Sequence, residues 1–311
     1  MDLTRVVTGP RALPRWAVAS LVGNIGIVIT GGLVRLTGSG LGCPTWPRCT
    51  DDSFVSHPEL GVHGAIEFGN RLLTFVLIVL AVLTFVSAML YRDPTRSNRS
   101  GRRRDLRWLA GVMALGIPAQ GVIGGLTVLT GLNPYLVGLH LLLSMGLISL
   151  AVWLVRLTRQ WPTRPVSGPL AVLPRVTLAL LWVAVVIGTV LTGSGPHAGD
   201  SRVPRNGLDG LLLTNLHAAA VFATVAGTVV CVALLRSRPA ALLLAVEVVQ
   251  AGIGIAQYQL GLPIGLVLLH LLGAALAIAA GTNLMLSVRP LRDPSDSAGQ
   301  PTGEARELLR G

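Results

Sequence analysis

The sequence predicts an all-α integral membrane protein. It has eight transmembrane helices arranged as two pseudo-two-fold-related four-helix bundles, with both termini cytoplasmic. Three observations predict this. Of the 311 residues, 51% are hydrophobic and only 13% charged, too few charges to cover a soluble domain of this length. Eight apolar runs are each long enough for a hydrocarbon core, which takes about 20 residues at about 1.5 Å per residue. The arginines gather in alternate gaps between those runs.

In chain order the runs fall at 16–36, 63–91, 107–129, 135–157, 170–193, 211–235, 240–258 and 263–286. The first is too long for the apolar region of a secretory signal and lacks an A-x-A cleavage site, so it reads as a retained helix. All 25 basic residues are arginine. Arg5, Arg11 and Arg15 precede the first run, Arg92 to Arg107 separate the second and third, and Arg156 to Arg175 separate the fourth and fifth. Arg236 and Arg238 lie between the sixth and seventh, and more arginines follow the eighth. Only Arg35, Arg48, Arg71, Arg202 and Arg205 fall on the opposite side, which places both termini in the cytoplasm. The longer outer loops are 37–62 and 194–210. The polar segment 287–311, with Pro, Ser and Gly, is expected to be a disordered cytoplasmic tail. The net charge of +11 does not signify nucleic acid, because the arginines flank apolar runs and no groove-reading motif accompanies them.

The two halves resemble each other. Gln120 and His140 are spaced like Gln250 and His270, within QGVIGGLTVLTGLNPYLVGLH and QAGIGIAQYQLGLPIGLVLLH. The first span ends in Leu36-Thr37-Gly38-Ser39-Gly40 and the fifth in Leu191-Thr192-Gly193-Ser194-Gly195. Glu67-Phe68-Gly69-Asn70 on the second span matches Thr214-Asn215-Leu216-His217 on the sixth. Four spans return the chain to its starting side, so the halves, 1–157 and 170–286, share one orientation and are related by an axis along the membrane normal.

Polar groups inside a bilayer cost free energy and tend to be functional. His140, His217 and His270 each lie a few residues inside the outer end of an even-numbered span, about 8–10 Å below the surface at the helical rise. Asn70 occupies the same depth on the second span. His57 and His197 fall in outer loops. Neutral imidazoles on facing helices are the usual axial ligands of haem iron, whereas an isolated buried histidine more often bonds a carbonyl. Three at one depth, two of them repeat-equivalent, favour ligation, and His217 with His270 form the clearest pair. His63, Glu67 and Asn70 share one face of the second span. Glu67 has only Thr214 as its counterpart, so chemistry is expected in the first half and binding in the second. A helix-end carboxylate paired with Arg71 is the plainer reading of Glu67. Gln120 and Gln250 read as helix-bridging amides, Glu247 lies deeper, and Cys231 reads as a small apolar residue. Cys43 and Cys49 flank Pro-Thr-Trp-Pro-Arg in the first outer loop. On an oxidising side they make a plausible disulfide, either a staple or a thiol–disulfide pair that passes electrons.

The stretch GGLVRLTGSGLGCPTWPRC, then EFGNRLLT, then the histidines of spans four, six and eight, resembles the haem A synthases over nearly the whole chain. The resemblance implies an oxidoreductase that converts the C8 methyl of haem O to a formyl by successive hydroxylations. It implies a first half holding the substrate haem and a second half holding haem b on His217 and His270. His140 would ligate the substrate iron, Glu67 would be the catalytic carboxylate, and the cysteine pair would join the redox cycle. Haem O synthase and an electron acceptor are implied partners, and a homo-oligomer is compatible. The family motif E-x-x-H has Asn70 at its last position here, and Asn is a poor iron ligand. Either His140 alone holds the substrate iron or His63 substitutes. The competing readings are a b-type cytochrome electron carrier without substrate chemistry, which should place ligands at two depths, and a transporter, which should show broken helices with midplane charges.

Overall fold

The computed structural model describes residues 7–9, 11–92, 103–195 and 203–291. Among these residues, eight helices are long and apolar enough to cross a membrane. They are α1 (Ala12–Leu36), α2 (Gly61–Leu90, entered through a 3-10 turn at Pro58–Leu60), α3 (Arg104–Leu129) and α4 (Pro134–Thr158), followed by α5 (Gly168–Ser194), α6 (Gly210–Leu235), α7 (Arg238–Gln259) and α8 (Ile264–Leu286). The expected spans match these helices to within a turn. The largest difference is at α1, which begins four residues before the apolar run because a first turn tolerates both Pro14 and the flanking arginines. Several helices start on local signals. The Asn133 side chain accepts from Tyr135 and Leu136 N–H ahead of Pro134, and Asp209 accepts from Leu211 and Leu212 N–H.

Helix exteriors are apolar. Leu115, Phe222 and Phe75 are among many large side chains left mostly uncovered. In water such a surface would aggregate, whereas in lipid it is the expected outer face. Small residues sit where helices approach most closely. Gly32 on α1 faces Leu271 of α8, and Gly116 on α3 faces Leu147 of α4.

Packing closes two rings. Helix α1 packs on α2, α2 on α3, α3 on α4 and α4 on α1, and the same cycle runs through α5, α6, α7 and α8. The rings meet through α4 with α8, α1 with α8, and α4 with α5. Exchanging the halves turns the α1–α8 contact into the α5–α4 contact and leaves α4–α8 in place, the pattern of a two-fold axis running between α4 and α8. The α3–α4 and α7–α8 turns repeat each other. Gly131 and Leu132 adopt φ of 61° and 60°, and Gly261 and Leu262 adopt 74° and 63°. Leu132 N–H bonds Thr127 O at 2.7 Å, and Leu262 N–H bonds Gln257 O at the same distance.

The segment joining the halves forms a strand, which the apolar pattern did not foretell. Strand β1 (Arg164–Val166) pairs in parallel with β2 (Val288–Pro290), in the register Arg164 opposite Val288. The tail expected to be disordered from residue 287 is therefore ordered through its first residues. Residues 292–311 lie outside the described residues, as do His197 and most of the Arg92–Arg107 loop. Buried Arg156 fastens this corner. Its guanidinium donates to Asn283 Oδ1 on α8 at 2.5 Å and to Pro162 O at 2.9 Å, and it lies 5.7 Å from the centre of the Trp161 ring. Arg156→Ala removes two charge-assisted bonds and is expected to cost about 2–4 kcal/mol. The check is the thermal unfolding midpoint in detergent. A midpoint equal to the parent's would show that these bonds carry no stability.

Candidate functional site

Diagonally opposed helices in a closed ring are held apart by their neighbours, and the histidines occupy that gap. In the second ring His217 on α6 and His270 on α8 face each other with ring centres 6.4 Å apart and planes at 67°. His217 Nδ1–H donates to Ala184 O of α5 at 2.9 Å, which leaves Nε2 as the free nitrogen. Neighbouring glycines make the room. A Cβ on Gly188 of α5 would lie 2.9 Å from His217 Cε1, and one on Gly254 of α7 would lie 3.3 Å from His270 Cε1. Gln250 on α7 donates to His270 O at 2.7 Å and fixes that turn of α8.

The first ring repeats this framework with one substitution. Gln120 donates to His140 O at 3.0 Å and to Ser144 Oγ at 2.7 Å, and Gly124 stands against the His140 ring, its Cβ position 3.4 Å from Cε1. The helix-bridging role expected of both glutamines is thus seen, directed at the backbone of the histidines. At the place of His217 stands Asn70, whose Oδ1 accepts from Thr30 Oγ1 on α1 at 2.7 Å. Thr30 therefore holds the Asn70 side chain from α1, much as α5 holds His217.

The loop between α1 and α2 covers the first ring. Cys43 and Cys49 form a disulfide. Glu67, buried on α2, accepts from Cys43 N–H at 2.7 Å through Oε2 and from Arg71 Nη2 at 2.5 Å through Oε1. Arg71 donates onward to the carbonyls of Cys43, Thr45 and Arg48 at 2.9–3.0 Å. The pairing with Arg71 that a helix-end carboxylate suggested is present, but its larger effect is to clamp the whole disulfide loop to α2. Trp46, at the loop tip, lies against Gly125 of α3 so closely that any β-carbon there would overlap the indole. The adjacent Gly124 carries the His140 ring, so the loop tip ends beside the first ring's imidazole. His63, in the exposed first turn of α2, bonds Ser39 Oγ through Nδ1 at 2.9 Å and belongs to the loop's anchorage.

The structure thus gathers His217 with His270, and Glu67 with the cysteine loop. It places His140 and Asn70 on the diagonal helices of the first ring and His63 against Ser39. Trp46 and Thr30 were not foreseen. The glycines opposite the histidines had a readable signal, since Gly124 precedes His140 by the interval that separates Gly254 from His270.

A family model described as cytochrome oxidase assembly protein (COX15-CtaA) matches residues 14–199. The chain belongs to this family. The match covers Cys43, Cys49, Glu67, Asn70 and His140 and ends before His217 and His270, which join the reading through the internal repeat. Curated relatives named heme A synthase are similar over part of their length. That of Listeria welshimeri is 27% identical over 154 residues, 48% of each chain. That of Geobacillus thermodenitrificans is 30% identical over 143 residues, 46% of this chain and 41% of its own. That of Lysinibacillus sphaericus is 33% identical over 150 residues, 47% and 44% respectively. The chain matches about half the length of these relatives.

The residues of the second ring fit a haem. Two metal–imidazole bonds of about 2 Å, with about 1 Å more from each nitrogen to its ring centre, span about 6 Å, close to the observed separation. A ligating imidazole characteristically donates its other N–H to a carbonyl, as His217 does. Among the described residues no group of three or more His, Cys, Asp or Glu could hold a metal ion; a prosthetic group would be held here by the two imidazoles alone. Arg71→Ala is expected to leave the Glu67 carboxylate buried without its charge partner, at a cost of about 3–5 kcal/mol, and to release the loop. Hydrogen exchange should accelerate at the Cys43 amide and across the disulfide loop. Exchange at the parent's rate would show that the clamp holds nothing.

Proposed function

We propose that the protein is a haem A synthase of the cell membrane, oxidising the C8 methyl of haem O to a formyl. Its halves divide the work, with residues 1–157 receiving haem O and residues 170–286 holding haem b on His217 and His270. The observation that carries this reading is the inequality of two otherwise matching rings. One has a complete imidazole pair. The other has His140 opposite Asn70, with a buried carboxylate and a disulfide loop at its mouth. A ring with two imidazoles suits a resident, coordinatively saturated haem, and a ring with one suits a substrate that must enter and leave.

Haem b, when bound, supplies one-electron redox chemistry. The chain's own residues do the rest. His140 offers the substrate iron a single axial nitrogen. Asn70, its carbonyl oxygen committed to Thr30, would offer the substrate iron no imidazole nitrogen opposite His140. His63, held by Ser39, is not needed as a substitute. Glu67 lies one turn above Asn70 on the same helix, and Arg71 and the Cys43 amide engage both its oxygens. A carboxylate so engaged acts by stabilising positive charge that develops at the substrate rather than by activating water. Cys43 and Cys49 shape the loop that carries Trp46 to the ring. The arginine distribution supports a disulfide loop outside and both termini in the cytoplasm. Haem O synthase and an electron acceptor complete the proposed setting.

The test is pigment extraction after expression with a source of haem O in a host lacking its own haem A. The parent chain should yield haem A and haem B. Glu67→Ala should keep haem B and lose haem A by about 100-fold or more, as when a preorganised charge is removed from a reacting centre. Undiminished haem A from that variant would end the assignment of Glu67. Haem B without haem A from the parent would favour the electron-carrier reading.

A further inference from the structure

Three arginines converge on one concavity that the haem chemistry does not use. Arg11 and Arg15 stand at the start of α1 and Arg159 at the end of α4, and with Pro14 and Trp161 they line a cavity of about 380 Å³. Among the described residues none of the three guanidinium groups has a carboxylate, carbonyl or hydroxyl partner. The start of α1 adds to the imbalance. Arg11, at its N-cap, makes no side-chain capping bond, and the first turn holds no acidic residue. The positive end of the helix dipole thus lies at the same place as the guanidinium groups. Like charges gathered in a concavity with no counter-charge among the described residues raise the local potential and attract an anion. Trp161 is fixed at the cavity's edge, since its backbone N–H bonds Arg156 O at 3.1 Å and the Arg156 guanidinium lies over its ring. Tryptophan at such an edge marks headgroup depth.

We propose that this cavity is a binding site for the phosphate of an anionic phospholipid headgroup. The cavity opens where two transmembrane helices end, on the face that the arginine distribution turns to the cytoplasm, and basic pockets between helices on that side suit acidic lipid headgroups. Arg11 and Arg15 meet the phosphate from α1 and Arg159 from α4. A bound lipid therefore bridges two helices of the first ring, and Trp161 lies along the glycerol region.

Native mass spectrometry of the full chain in mild detergent tests this, with phosphatidylglycerol, phosphatidylcholine and inorganic phosphate as separate probes. The parent should retain phosphatidylglycerol about 100-fold more tightly than R11Q/R15Q/R159Q, from about a five-fold loss per arginine. Phosphatidylcholine should bind both weakly and alike, and inorganic phosphate should not displace the lipid. The charge-matched variant R92Q/R236Q/R289Q, altered outside the cavity, should behave as the parent. Arg159→Gln alone, at an exposed helix end, should lose about five-fold even if the triple variant does not fold. Three outcomes overturn the proposal: equal retention by the parent and the cavity variants, an equal loss in the charge-matched variant, or displacement by inorganic phosphate, which would make the cavity a site for a free anion.

Discussion

Four helices packed in a ring touch their neighbours and not their diagonal partners, and that gap is what the rest of the protein is organised around. In lipid no water is present to fill it or to satisfy a polar group that faces it. Side chains across the gap must therefore meet each other, pair with a neighbouring helix, or enclose something. In the second ring the gap is bridged by His217 and His270. One imidazole is held by a carbonyl of α5, and the other is seated against a glycine of α7 on a turn fixed by Gln250. Both supports come from the flanking helices, so the ring itself orients its diagonal residues.

The repeat shows which features belong to the framework and which to each half. The αL turns, the glutamine bonds to histidine backbone and the glycines against imidazole edges occur in both rings, so they serve packing and seating in general. Asn70, Glu67, Arg71 and the disulfide loop occur in one. Replacing an imidazole by an amide bonded to Thr30 removes one ring nitrogen without disturbing the fold, because Asn70 still makes a contact with the helix that supports it. The loop then does for the first ring what no segment among the described residues does for the second. It brings an indole to the ring mouth on a base fastened by a disulfide and by an arginine that donates to three of its carbonyls.

Much of this was legible in the sequence because it depends on local or periodic signals. Run length gave the spans, arginine distribution gave the expected orientation, and constant offsets between glutamines and histidines gave the repeat. The histidine layer followed from counting residues along helices of known rise. What stayed hidden rests on contacts between segments distant in sequence. The β1–β2 pairing joins residues more than a hundred apart through segments too short and too rich in proline and arginine to look like strands. The Thr30–Asn70 bond and the seating of Trp46 on Gly125 depend on which faces of α1, α2 and α3 turn toward one another, which apolar residues on all sides of a membrane helix leave unmarked. Glu67 was read for its chemistry, and its structural work as the base of the loop clamp emerged only with the position of Cys43.

The central claim is that the two rings are chemically unequal, with a saturated bis-imidazole site on α6 and α8 and a one-sided site on α2 and α4. Electron paramagnetic resonance of the purified oxidised protein tests it most directly, comparing His217→Ala, His270→Ala and His140→Ala with the parent. The account predicts a low-spin haem signal that disappears in the first two variants and persists in the third. A low-spin signal that survives at His217→Ala and is lost at His140→Ala would contradict it.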